Sequence, residues 1–567
     1  MIAAAWRRVC ELAGDPVLRR WLMDRIAGRT APPDIARRDP PYLDDAAPGA
    51  PPEPERFAAF APGAPTSPIE LPLAGETVTV APGGEAALFG RRFAELETLL
   101  SLHRFAWLPL LGEEADPAWV RALWRAWVAA HGTPGPGWAW HPYTAAERAI
   151  NVVAFARRRG LPGPEAETRA ALAAHAPAIR AALEYFGETY TSNHLSNDGR
   201  GLYLLGLALG DARAADAGGR ILVEEAARIF RPSGVLCEGS SHYHLLLTRN
   251  YASAWLAARA RGQPETPALE DIVRRALAAS RALALPGGMP LVGDISPDCP
   301  PEFLAGLLPG GDLAAGWTGL LPFGDRTVLA ALRESAAPPD RAALAGDGWA
   351  RIDADGWSAL AFAAPDGWPP MPGHGHQDMG SFELHHGDEA VIRDPGRGSY
   401  RDARDAGAVA QNGISVAGAD PYPRNRAYYD AAFRRRVGGA PPEIALDATG
   451  FRIAFDGFAR ILGVGRTVRE VKFAPGAVRI ADTVDGTGAQ HVVRRLHTTL
   501  PVRIEEHGAV IEGARARYRV RAEVAARLRP ATCWTAYGRG VAATAIEFAS
   551  HAALPFRGEI AIEAHDR

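Results

Sequence analysis

Three segments of this 567-residue chain place proton-handling and metal-binding side chains where hydrophobic periodicity alone would not put them. The most specific is MPGHGHQDMGSFELHHGDEAVIRDPGRGSY, 371–400. His374 and His376 are one residue apart and share a face if the segment is extended. The following SFEL reads as a strand, and Asp394 closes the next strand at a DPG turn. Two imidazoles and a carboxylate from an adjacent strand are a starting set for a zinc site. Glycines on both sides of His374 point to close approach of backbone or ligand.

The second segment, TSNHLSNDGRG at 191–201, puts Asn193 and His194 at the mouth of an all-apolar stretch. Ser, Asn and Asp are good helix caps, so capping and function are both open readings of it. The third, CEGSSHYHLLLTRNY at 237–251, crowds Glu238, His242, Tyr243, His244 and Arg249 around another helix start. A tyrosine there transfers protons if its surroundings tune its pKa, and is otherwise structural.

The elements that must position these side chains fall into two textures. From about Phe89 to Glu334, segments of 12 to 20 residues with helical spacing alternate with Gly/Pro turns, as in Ala149, Val152, Val153 and Ala156 on one face. GLYLLGLALG, 201–210, is apolar all round and must be enclosed by other helices. After the breakers at 334–348 the period drops to two. ARIDADGWSALAFAA, SFELHHGDEAVIRDPG, FAPGAVRIADTVDG and RARYRVRAEVA read as antiparallel strands with one buried face, and their number predicts a β-sandwich. The expected organisation is an N-terminal helix and Pro-rich wrapping segment over 1–82, with ETVTV at 76–80 as one arm of a small hairpin. A helical domain over 83–340 and an antiparallel β-sandwich over 341–567 follow it. Arg515, Arg517, Arg519 and Arg521 share one face of a strand, which reads as a solvated sheet face before a glycan track.

Composition narrows the class of function. Hydrophobic residues make up 47% and charged residues 22%, which excludes a disordered or coiled-coil chain. Charges nearly cancel, 62 Lys+Arg against 65 Asp+Glu, so no overall basic field favours nucleic acid and any ligand must be held locally. Lys472 is the only lysine, which makes an arginine here weaker testimony to an anion site than in a mixed chain. Cys10, Cys237, Cys299 and Cys533 lie far apart, with no CxxC pair to suggest a disulfide framework or a cysteine zinc site. The first 26 residues lack the continuous apolar core of a signal peptide and read as an amphipathic helix, and no transmembrane run follows. On the sequence alone a cytoplasmic protein is expected.

GHGHQDMGSFEL followed by VIRDPGRGSY resembles the C-terminal signature of the heparinase II/III-like family of polysaccharide lyases. SLHRFAWL at 101–108, WAWHPYTAAERAIN at 138–151, SNHLSNDGRGLYLLG at 192–206, GSSHYHLLL at 239–247 and PLVGD at 290–294 agree in order, so the resemblance runs from about 95 to 420. It implies an incomplete (α/α) toroid followed by an antiparallel β-sandwich, a periplasmic location, and cleavage of an acidic, uronate-containing polysaccharide by β-elimination, without a cofactor for the chemistry.

By the same resemblance, Asn193 with His194 neutralises the uronate carboxylate, Tyr243 donates a proton, and His374 acts from the opposite side. Trp140 and Arg148 line the cleft, and Arg249 and Tyr400 complete the substrate-binding set. His376 and Asp394 match two ligands of a structural zinc. The third ligand in related sequences is a histidine before Asn, and here Gln411 of VAQNGISV stands in that place. An amide oxygen is a poorer zinc ligand than imidazole, so two arrangements are open, a zinc site or a loop in which His376 hydrogen-bonds Asp394 and Gln411. A uronate epimerase on the same fold and a non-catalytic glycan-binding or capsule-assembly protein are the alternative functions. A sulfated substrate would call for clustered cations, for which His103, Arg104, Arg148, Arg249 and Arg397 are the candidates.

Overall fold

The computed structural model describes residues 12, 14–30, 35–43, 49–58, 63–190, 192–369, 373–426, 428–506 and 508–566. Most of the first half of the amphipathic N-terminal reading, Cys10 included, lies outside them, as do Thr191, Met371 and Pro372 of the motif segments. The described end of the N-terminal reading is helix α1 (Pro16–Ile26). It is capped by Asp15, whose carboxylate accepts from the amides of Val17 and Leu18 at 3.0 and 2.9 Å. Trp21 of α1 packs on Tyr428 with ring centroids 4.5 Å apart, and Asp24 pairs with Arg436 at 2.9 Å. The N-terminal helix therefore docks on the C-terminal half. The alternation of ETVTV does form a hairpin, β1 (Ile69–Leu73) with β2 (Glu76–Val80).

Helices dominate from Glu85 to Gly346 and strands from Trp349 onward. In the helical half, α2 (Pro142–Arg159), α3 (Asn193–Leu209), α4 (Ala212–Ile229), α5 (Ser241–Ala260) and α6 (Thr266–Leu283) pack around two apolar clusters. Helix α3 is buried from Leu195 to Ala208, which encloses the apolar stretch from 201 as its composition requires and the polar turn Ser196–Arg200 before it as well. It meets α4 so closely that a Cβ on Gly206 would lie 2.4 Å from the amide nitrogen of Ala215. Glycine is needed there for contact between backbones.

The C-terminal half holds one eight-stranded and two four-stranded antiparallel sheets around a common apolar core. Strands such as Val464–Ala474 alternate buried and less buried positions, as their two-residue period predicts. The four-stranded sheet β3 (Trp349–Ala354), β4 (Trp357–Phe362), β5 (Ser381–His386) and β6 (Glu389–Ile392) departs from that pattern. Every residue of β4 is buried. Trp357, Ala359 and Ala361 face the sandwich core, whereas Leu360 and Phe362 join Val235, Leu283, Leu285 and Val292 of the helical half in a separate cluster. One face of this sheet is the seam between the halves, and both faces are covered. Among the described residues no helix is long and apolar enough to cross a membrane.

Candidate active site

Three chain segments cross at the seam and are stitched by main-chain hydrogen bonds. The His374 amide donates to the Glu238 carbonyl at 2.9 Å, and the Asp294 amide donates to the His374 carbonyl at 2.9 Å. The Ile295 amide donates to the Arg397 carbonyl at 2.8 Å, and the Arg397 amide to the Gly293 carbonyl at 3.1 Å. The crossing is tight. Gly293 has φ +79°, and a Cβ there would sit 2.6 Å from the Gly239 carbonyl oxygen and 2.7 Å from that of His374. Gly373 has φ +60°, and its Cβ would meet that of Glu238 at 2.6 Å. The glycine before His374 thus serves close approach of backbone to a neighbouring segment.

At the start of α3, Ser192 is the cap, its hydroxyl accepting from the His194 amide at 3.3 Å. That leaves the Asn193 side chain for other work. Its amide nitrogen donates to Glu238 Oε2 at 3.1 Å and to His374 Nε2 at 3.2 Å, and its backbone N–H donates to Glu238 Oε1 at 2.7 Å. Asn193 Oδ1 is buried without a partner. His374 Nδ1 lies 3.3 Å from Asp294 Oδ2, and Nε2 lies 3.2 Å from the Asn193 amide nitrogen and 3.4 Å from Glu238 Oε2. In the neutral tautomer with the proton on Nδ1, Nε2 accepts from Asn193.

His374 lies flat on Tyr243, ring centroids 3.4 Å apart and planes 12° from parallel. Tyr243 stands in the first turn of α5, where Ser240 caps by accepting from its amide at 3.1 Å. Its hydroxyl lies 3.3 Å from that of Tyr400, which the sheet half supplies. Burial, then the neighbouring Tyr400 hydroxyl and the charge of Asp298, raise the Tyr243 phenol well above the usual tyrosine value. Burial and Asp294 raise Tyr400 likewise. Both phenols hold their protons at neutral pH.

His194 turns the other way, its Nδ1 3.1 and 3.0 Å from the two Glu184 oxygens. Burial opposes the imidazolium, but the charge and hydrogen bond of Glu184 outweigh it and raise the pKa. The shift favours the protonated form of His194, which is next to Asn193 in sequence and has a side chain 41% exposed.

Arg148 and Trp140 do not line an open cleft. Arg148 is fully buried: Nε donates to His175 Nε2 at 2.9 Å, Nη1 donates to the carbonyls of His103 and Ala139 at 3.0 and 2.8 Å, and the guanidinium lies 3.9 Å from the Trp127 ring centroid. Trp140 is 8% exposed and donates to the His131 carbonyl at 2.7 Å. Their sequence segment is as expected, yet the packing of α2 against the tryptophan cluster uses both side chains internally. Arg249 is buried too, on α5, where its charge helps hold Asp298 ionised. The sulfate candidates are engaged with internal partners: Arg104 pairs with Asp298 at 2.6 Å, and Arg397 reaches Asp294 at 3.5 Å and sits 4.8 Å from the Tyr400 ring centroid. His103 is buried, with its Nδ1 accepting from Trp127 Nε1 at 3.3 Å.

The expected metal ligands are also arranged differently from the sequence reading. Residues 374 and 376 are in a loop before β5, where their shared partner is Asp294. His376 Nε2 lies 2.8 Å from Asp294 Oδ1, and Nδ1 lies 3.2 Å from Gln411 Nε2. The Gln411 contact was expected; in the other, Asp294 stands in place of Asp394. Asp394 instead accepts from the Gly396 amide at 3.0 Å and the Ser381 hydroxyl at 3.3 Å. Among the described residues no group of three His, Cys, Asp or Glu side chains is placed to hold a metal. With a neutral amide at the third position and both His376 nitrogens engaged, these residues do not fit zinc.

Sequence reasoning missed the weight of Asp294, which PLVGD carried only as part of a motif, and of Glu238, which stood out only as one of a crowd. Glu184 had no signal at all. Tyr400, read as a binding residue, shares a hydroxyl contact with Tyr243.

Residues 336–563 match the heparinase II/III-like, C-terminal domain family, and that part of the chain belongs to it. The match runs on past residue 420, where the motif resemblance stops. Among solved structures, the chain is similar to a heparinase III at 16% identity, covering 83% of this chain and 78% of that one with a TM-score of 0.60. It is similar to another heparinase III gene product at 15% identity, over 84% and 80%, TM-score 0.57. It is similar to a mutant heparan sulfate lyase HepC from Pedobacter heparinus at 13%, over 84% and 78%, TM-score 0.52. At these identities the likeness is one of fold, a helical N-terminal half followed by antiparallel sheets. No curated relative matches the sequence.

Proposed function

We propose that this protein, whose residues 336–563 form a heparinase II/III-like C-terminal domain, is a polysaccharide lyase that cleaves a uronate-containing acidic glycan by β-elimination. The observation that carries the reading is the pair of protonated phenols, Tyr243 and Tyr400, with hydroxyls 3.3 Å apart and His374 stacked on one of them where the two halves meet.

In the reaction a base takes the proton on carbon 5 of the uronate, the electron pair forms the double bond between carbons 4 and 5, and the oxygen on carbon 4 leaves and is protonated. Tyr243, protonated at neutral pH, donates to that oxygen and regains a proton through the Tyr400 hydroxyl contact. Solvent replaces the proton Tyr400 gives up and receives the carbon-5 proton from the base after the product leaves. His194, in the protonated form that Glu184 favours, would supply a charge for the carboxylate, which acidifies carbon 5. Asn193 has both amide hydrogens committed in the free protein, so meeting the carboxylate draws one away from His374 Nε2. That exchange uncovers the Nε2 lone pair, which takes the carbon-5 proton. Each step uses side chains of the chain itself.

The test is incubation with a panel of uronate polysaccharides, following the ultraviolet absorbance of the unsaturated product. Absorbance should grow with one or more substrates. A folded protein that gives none on alginate-like, glycosaminoglycan and capsular uronates would sink the proposal.

A further inference from the structure

We propose that Asp294, through hydrogen bonds alone, does in this chain what a structural zinc would do: it fixes the loop that carries His374 and His376. The inference concerns how the loop is held and stands apart from the lyase reading.

Asp294 is the acceptor on which the loop converges. His374 Nδ1 reaches Oδ2 at 3.3 Å, His376 Nε2 reaches Oδ1 at 2.8 Å, and Arg397 Nη1 comes to 3.5 Å of the same Oδ1. Its main chain is tied as firmly. The amide holds the His374 carbonyl, and the carbonyl accepts from the Ser240 hydroxyl at 2.7 Å. Gly293 directly before it allows the close crossing. One carboxylate thus spaces two imidazoles and links the helical half to the sheet half.

A carboxylate on one nitrogen of an imidazole is also what a metal-bound histidine has behind it. The other nitrogen decides. In His376 it faces the Gln411 side-chain nitrogen at 3.2 Å rather than a third imidazole. Gln411 is fully buried, with Oε1 unpartnered. Exchanging the amide's oxygen and nitrogen would turn Oε1 to His376 Nδ1, and either orientation closes the histidine by hydrogen bonding without an ion. Asp394 has its oxygens on Gly396 and Ser381.

Purified from zinc-supplemented medium and dialysed, the wild-type protein should carry substoichiometric zinc by elemental analysis, and its melting temperature should not move with a chelator. Stoichiometric zinc that survives dialysis, or a chelator-induced fall in melting temperature, overturns the proposal. Nitrogen-15 spectra of histidine-labelled protein, with His374 assigned from H374Q, should show the Nδ1–H tautomer in the wild type. That fixed tautomer should be lost in folded Asp294→Asn and regained in Asp294→Glu. A wild-type His374 in the other tautomer, or one unchanged in Asp294→Asn, removes Asp294 from its positioning role. None of these readouts depends on turnover, so a failed lyase assay leaves them standing.

Discussion

The exposed sheet face around residue 519 and the seam around Asp294 are both rich in charge, and they differ in what the charges have left to do. On the strand Ala516–Ala522 and just before it, every arginine of the row has a carboxylate: Arg515 with Asp388 at 2.6 Å, Arg517 with Glu512 at 3.1 Å, Arg519 with Glu505 at 3.2 Å and Arg521 with Glu563 at 3.8 Å. The side chains lie in water, 37 to 57% exposed. At the seam the groups are buried, the hydrogen bonds join three segments, and Asn193 Oδ1 and Gln411 Oε1 are left without partners. A buried polar atom without a partner costs free energy, so a fold that keeps some has a use for the geometry they come with. The row of arginines, conspicuous in the sequence, has its charge answered by neighbours on the same surface.

The largest effect is expected at Tyr243. Tyr243→Phe keeps the ring stacked under His374 and removes only the hydroxyl, so lyase turnover should fall about 10²–10⁴-fold with an unchanged melting temperature. Retained turnover would show that the proton comes from elsewhere. Next is the crossing itself. Gly293→Ala forces a side chain onto φ +79° and against two carbonyl oxygens. The conformation alone should cost about 1–3 kcal/mol, read from urea denaturation, with the contacts adding to it. Glu238→Gln exchanges the carboxylate that accepts both from the Asn193 amide and from its side chain. The expected loss is about 1.5–3 kcal/mol, and a loss near zero would mean that Asn193 is held by the helix alone.

These expectations also mark what could be read from the chain. The change of period near residue 340 and the enclosed helix at 201–210 follow from local spacing, which is how hydrophobic pattern acts. The full burial of β4 could not be read that way, because its alternation says which residues face which side and is silent on a second layer covering both. The same limit explains the site. Asn193, Tyr243 and His374 lie within motifs, and the structure brings them together. Arg148 and Trp140 lie within one too, but their fate depended on how α2 packs against tryptophans far away in sequence. Asp294 became visible only once three segments were seen to cross, since a single aspartate after a glycine has no period of its own.

His194 gives a smaller effect with a definite sign. Its pKa is raised above 6.5 because Glu184 outweighs burial. The stabilisation from the pair is therefore complete below the ordinary histidine value and fades as pH climbs through the raised one. The melting temperature of the wild type should exceed that of His194→Gln at low pH, and the two should converge in alkaline solution. A gap that widens with pH would reverse the assignment, and a nitrogen-15 titration of His194 with a midpoint below 6.5 would do the same.

The smallest effect belongs to the arginine row. Arg519→Ala removes one cation from a surface where Glu505 still has Arg503 at 2.7 Å. Exposed pairs of long side chains gain little, because water screens the attraction and fixing the side chains costs entropy. The melting temperature should stay within the scatter of replicate melts, and turnover on any glycan that the enzyme cleaves should be unchanged. If instead KM rose while kcat held, and the rise vanished with added salt, the row would be a track for the acidic polymer, and its pairing with carboxylates would be what the free protein does while the track is empty. That outcome would make the exposed face part of substrate recognition and confine the seam to the chemical step.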